Sequence, residues 1–125
     1  MFEFTVYGQP YIKKSGQRTY WAGDHIRRVN TPSYKQWHKD ALIQLKFAQK
    51  PAEPISAPSN LQVRFFMKNA GRCDLSALYE GIQDVLVEIG ILADDNWKIV
   101  ASHDGSGVEV DREEPRMEIK ITPKQ

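Results

Sequence analysis

The chain has 125 residues, 41% of them hydrophobic and 26% charged, enough for one core without disulfide staples and too apolar for a disordered segment. No apolar run approaches the roughly 20 residues of a membrane span, and the opening MFEFTVYGQPYIKK has neither the basic nor the apolar stretch of a secretory leader. The net charge of +1 conceals an asymmetry. Residues 1–50 carry nine Lys and Arg against Glu3, Asp24 and Asp40, a net +6, and residues 74–118 carry twelve acids against Lys98, Arg112 and Arg116, a net −9. A basic half can meet phosphates and an acidic half cations, or the two can neutralise each other across the fold.

In chain order, Phe2, Phe4 and Val6 alternate with Glu3, Thr5 and Tyr7, which predicts a strand ended by Gly8 and Pro10. Residues 11–32 read as a long loop or ragged hairpin, with Lys13, Lys14, Arg18, Arg27 and Arg28 interleaved with Tyr11, Tyr20 and Trp21. Thr31-Pro32-Ser33 opens a helix with Ser33 as its expected N-cap. Its apolar positions are Trp37, Ala41, Leu45 and Ala48, and its basic ones Lys35, Lys39, Lys46 and Lys50. Residues 51–60 form a proline-punctuated connection too short to separate domains. Leu61 to Lys68 is a second strand, with Leu61, Val63, Phe65 and Met67 on one side.

A second helix runs from about Ser76 to Ile89. Leu78, Ile82, Val85, Leu86 and Ile89 form its apolar stripe, and Gly90 follows as a C-terminal cap. Glu80, Asp84 and Glu88 recur at four-residue spacing on its other face, an ordinary pattern for a solvated surface. Asp94-Asp95-Asn96 is a turn, residues 98–102 a third strand, and His103 to Gly107 another turn. Val108, Val110, Met117, Ile119 and Ile121 supply a last hairpin or edge strands. The whole reads as a single α+β domain, a small mixed β-sheet with two main helices packed on it.

No dinucleotide fingerprint, P-loop, nucleophile elbow or H-E-x-x-H motif occurs, which leaves nucleotide-cofactor and serine-hydrolase chemistry without support. His25, His38 and His103 lack metal-ligand spacing, His38 reading as helix filler. The lone Cys73 rules out an internal disulfide, reads as structural and fits a reducing cytoplasm. The carboxylates are the better signal. Asp74 stands just before the second helix and Asp95 on the turn after it, and two carboxylates so placed can serve a hard cation such as Mg²⁺. They are equally an ordinary N-cap and an ordinary turn.

The segment from Arg72-Cys73-Asp74-Leu75-Ser76 through Glu80 and Asp84, continued by Gly90-Ile91-Leu92-Ala93-Asp94-Asp95, resembles the RusA family of Holliday junction resolvases, small endonucleases often carried by phages and prophages. The first strand with Gly8-Gln9-Pro10, the basic loop, Asn30-Thr31-Pro32 and Pro115-Arg116-Met117-Glu118-Ile119 extend the resemblance to nearly the whole chain. It implies a homodimer that binds four-way DNA junctions and cuts two strands symmetrically with Mg²⁺ or Mn²⁺. The usual motif reads Asp-Leu-Asp-Asn, then a lysine, then Asp-Asp. Asp74 matches the first acid and Asp95 the last, with Asp94 beside it. Ser76, Ala77 and Glu80 stand where the family has Asp, Asn and Lys, similar to a variant branch with a later Glu.

Residues 76 and 80 lie one helical turn apart, and helical side chains lean toward the N-terminus. Glu80 is therefore expected to fill the space of the missing acid, giving catalytic residues Asp74, Glu80 and Asp95, with Asp94 a further metal ligand. Asp84, one turn deeper, reads as solvated or as a support behind the site. Lys13, Lys14, Arg18, Arg27, Arg28 and Arg72 are the expected DNA contacts. Tyr11, Tyr20 or Trp21 would stack on an opened base or pack in the core. Phe66 or the Ile91-Leu92 turn would serve the dimer interface. The alternative is a junction- or branched-DNA-binding protein of the same fold that has lost the chemistry.

Overall fold

The computed structural model describes residues 1–11, 17–22, 25–30, 32–71 and 73–124, with 17–22 and 25–30 as backbone. The elements run β1 (Phe2–Tyr7), β2 (Gln17–Ala22), β3 (His25–Asn30), α1 (Pro32–Lys46), β4 (Ser59–Met67), α2 (Leu75–Glu88), β5 (Val100–Ser102), β6 (Gly107–Val110) and β7 (Arg116–Pro123). This is an α+β fold. A five-stranded mixed sheet has the order β1-β7-β4-β5, β6 also pairing with β4, and both helices pack on it. The stretch read as a loop or ragged hairpin contains a regular antiparallel pair, β2 with β3.

Alternation builds the core. β1–β7 and β7–β4 pair antiparallel, with Phe4 opposite Ile119 and Ile119 opposite Val63. Phe4, Val6, Leu61, Val63, Phe65, Met117, Ile119 and Ile121 are buried beneath the helices. α1 adds Tyr34, Trp37, Ala41 and Leu45, and α2 adds Leu78, Ile82, Val85 and Leu86. Gln44 fastens α1 to the end of β1, its Oε1 accepting from Tyr7 N at 2.7 Å and its Nε2 donating to Tyr7 O at 2.9 Å. The helices meet at Gly81, where a Cβ would stand in ordinary contact, 3.5 Å from Tyr34 and 3.6 Å from Trp37.

β6 is an edge strand paired parallel to β4, not a hairpin partner of β7. His103 and Ser106 hold the preceding turn against the sheet, through Leu61 O and Val63 N respectively, and the His103 ring lies 3.8 Å from that of Tyr79. His103 is thus a packing residue. Cys73 is half-buried against the core. Among the described residues no helix is long and apolar enough to cross a membrane.

Two expectations for the dimer interface are corrected. Phe66 is only 6% exposed, because Arg116 and Arg64 lie over its ring at 3.8 and 5.1 Å on the sheet face away from the helices. Ile91 and Leu92 are fully buried, and the cause is the end of α2. Gly90 takes φ +85°, Gly90 N donates to Val87 O and Ile91 N to Leu86 O, the pairing of a Schellman cap. The cap reverses the chain and drives Ile91 and Leu92 inward. There Ile55 N donates to Ile91 O and Ala93 N to Ile55 O, both at 2.9 Å. The exposed large apolar side chains include Ile43, Phe47, Trp97, Val108 and Val110.

Two substitutions test this packing by denaturant unfolding. Ile82→Ala, at a fully buried position, is expected to cost about 2–5 kcal/mol. Gly90→Ala meets no neighbouring atom, so its expected cost of about 1–2 kcal/mol comes from left-handed backbone strain alone.

Candidate metal and nucleic-acid site

α2 begins at Leu75 because Asp74 adopts an extended N-cap geometry, φ −86° and ψ 137°, and its carbonyl accepts from Ala77 N and Leu78 N. Its carboxyl makes no capping hydrogen bond to the helix and is exposed to solvent. Leu78, Ile82, Val85 and Leu86 must face the sheet, so the positions four apart, Glu80, Asp84 and Glu88, fall along the side next to α1. Tyr34 of α1 feels all three. Burial raises its hydroxyl pKa to about 12, and the charges of Asp84, Glu80 and Glu88 add to the effect in that order. His38, one turn along α1, joins the helices by donating from Nε2 to Glu88 Oε2, and the Tyr34 hydroxyl lies 3.5 Å from its Nδ1.

The reversal at Gly90 carries the next acids back beside this row. His38, Asp84, Val87, Glu88, Asp94 and Asp95 line one open pocket. Within it the turn is tightly bonded: Asp94 Oδ1 accepts from Asp95 N at 2.7 Å, and Asp94 Oδ2 from Asn96 Nδ2 at 3.2 Å. These bonds hold the Asp94 carboxyl below the usual carboxylate range. Asp95 is pushed the other way, by burial first, then by the Asp94 carboxyl and, more weakly, by the charge of Asp84.

Asp94 and Asp95 are thus brought together with Asp84, the acid the sequence left as solvated or supporting. Asp74 and Glu80 stand nearer the other end of the helix. Ten residues separate Asp74 from Asp84, about 15 Å along a helix axis. Among the described residues no three His, Cys, Asp or Glu side chains form a group that could hold a metal ion, so Asp74, Glu80 and Asp95 do not make one closed three-ligand cluster. Asp84 and His38 also line the pocket, a placement the sequence does not predict. The signal for Asp84 was its place in the four-residue row, and what gives it meaning is the return of the 94–95 turn.

Of the expected DNA contacts, Lys13, Lys14 and Arg72 lie outside the described residues, as does Thr31 at the start of α1. Arg18, Arg27 and Arg28 belong to the β2–β3 ladder, at positions opposite Val29, Tyr20 and Thr19. No known family profile and no curated protein sequence matches the chain.

The opposed shifts of Asp94 and Asp95 set a testable pH dependence. A raised folded-state pKa means that ionising Asp95 opposes folding. Its stabilising share is complete below the unfolded value and is lost as pH rises through the folded one. Asp95→Asn should therefore raise the melting temperature at neutral pH in metal-free buffer, and the gain should vanish by about pH 4, where the unfolded-state carboxyl also takes up its proton.

Proposed function

We propose that the protein is a divalent-metal-dependent endonuclease of branched DNA, with four-way junctions as its substrate class and a homodimer as its working form. The observation that carries the reading is the open pocket in which the reversal at Gly90 sets Asp94 and Asp95 beside Asp84 and Glu88, carboxylates whose like charges favour a cation among them. The resemblance of residues 72–100 to the resolvase motif supports it, as does an element order matching the α+β expectation.

The donor chemistry suits Mg²⁺ or Mn²⁺. All the candidate ligands are hard carboxylate oxygens, and Mg²⁺ commonly takes only one or two protein carboxylates, with water and phosphate completing its shell. In this reading Asp95 and Asp84 would hold the ion with water and phosphate, Asp94 would brace the turn that carries Asp95, and Asp74 and Glu80 would extend the acidic track toward the start of α2. When bound, the ion supplies Lewis acidity and a more acidic water for phosphodiester hydrolysis. The protein's own part is to hold the acid turn still through Asp94 and Asn96. Lys13, Lys14, Arg18, Arg27, Arg28 and Arg72 would neutralise backbone phosphates, a contribution that weakens with salt. Two strands of like polarity call for two equivalent sites related by a two-fold axis.

A second reading, a binding protein of the same fold without the chemistry, is favoured by Ser76 and Glu80 in the family's Asp and Lys positions and by the lack of a closed three-ligand cluster among the described residues. Incubating the protein with a labelled four-way junction and a matched duplex separates the two. Symmetric cleavage of the junction in Mg²⁺, absent with chelator and reduced about a hundredfold or more by Asp95→Asn, is the expected result. A junction bound but left whole in both Mg²⁺ and Mn²⁺ gives the second reading. Glu80→Gln and Asp84→Asn, assayed alongside, show which carboxylate works with Asp95. The larger loss should fall on Asp84→Asn.

A further inference from the structure

Trp97 has no role in the core or in the acidic pocket. Its residue is 77% exposed, although an indole ring is a large apolar surface to leave in water. The backbone beneath it is fixed. Asn96 Oδ1 accepts from Lys98 N at 3.0 Å, and Asn96 O accepts from Ile99 N at 3.0 Å and Val100 N at 2.9 Å. Ile99 and Val100 are both buried and anchor the far side of the turn, while the Asp94 carboxyl braces the near side. A rigid turn therefore presents a solvent-facing ring two residues beyond Asp95.

The surroundings select the kind of partner. Ile43 on α1 and Phe47 just beyond its end are exposed four residues apart, and Val108 and Val110 share one face of β6, so each pair offers apolar surface of the sort protein partners bury. Trp97 stands among Ala93, Asp94, Asp95, Asn96 and Lys98, all exposed and mostly polar. A lone ring in a polar setting suits a planar partner that stacks on its face, and nucleobases do so whatever their sequence.

We propose that Trp97 stacks on an unpaired base beside the scissile phosphate and thereby favours branched over linear DNA. The proposal rests on the nuclease reading, which brings the strand to the acid turn. A duplex offers no free base face there, whereas a branch point does. Lys98, next in the turn, carries the positive charge for an adjoining phosphate.

The test uses the full chain, with Ca²⁺ replacing Mg²⁺, and compares wild type, Trp97→Ala and Trp97→Tyr. The probes are a four-way junction, the matched linear duplex and a single-stranded oligodeoxynucleotide. Trp97→Ala should weaken junction binding about tenfold and leave duplex binding unchanged, and Trp97→Tyr should restore most of the loss. The single strand should quench tryptophan emission in wild type and markedly less in Trp97→Ala. Equal junction affinity in wild type and Trp97→Ala would overturn the proposal, as would equal weakening on junction and duplex. A Trp97 signal that follows protein concentration instead of DNA would assign the ring to a contact between copies and overturn it too. Failure of the nuclease reading is scored separately, by wild type that binds the junction and leaves it uncut in Mg²⁺ and Mn²⁺.

Discussion

The left-handed turn at Gly90 is the constraint on which the rest of the acidic site depends. A helix with Leu78, Ile82, Val85 and Leu86 on the sheet has its Glu80, Asp84 and Glu88 face set by the same rotation. That row becomes more than a solvated face only when another acid is returned to it. Gly90 does this by ending α2 in a Schellman cap, after which burial of Ile91 and Leu92 and the Ile55 bridge hold the chain on course. Apolar burial thus fixes the place where the 94–95 turn meets Asp84 and Glu88.

The second helix face meeting this cluster is that of α1. Tyr34 and His38 are its contact residues, one buried beside the acids and the other bonded to Glu88. The result is an acidic surface backed by a rigid core, with a fixed exposed turn at its edge. Under the proposed function, this surface would recruit a hard cation and meet a phosphate through it.

Much of this was legible from local pattern. The alternation of Phe2, Phe4 and Val6 and the α2 stripe each specify an element and its buried face without knowledge of the rest of the chain. Gly90 was recognisable as a cap for the same reason. The misses are non-local. Val108 and Val110 pair with β4, more than forty residues earlier by register, and no periodicity reveals that parallel pairing. Phe66 falls on the polar side of its strand and is nonetheless buried, because Arg64 and Arg116 converge on its ring from two strands. For Asp84 the pattern leaves a solvated or a supporting place open, because spacing along a helix says nothing about which distant turn comes to rest beside it.

The most direct measurement of the account is a carboxyl-carbon NMR titration of Asp95 in wild type and in Asp84→Asn, each without and with Mg²⁺. The account predicts that Asp95 titrates above the ordinary aspartate range in metal-free wild type, moves down when Asp84 is neutralised, and moves down further with Mg²⁺. An Asp95 that titrates as an ordinary aspartate, indifferent to both Asp84 and the ion, would contradict it.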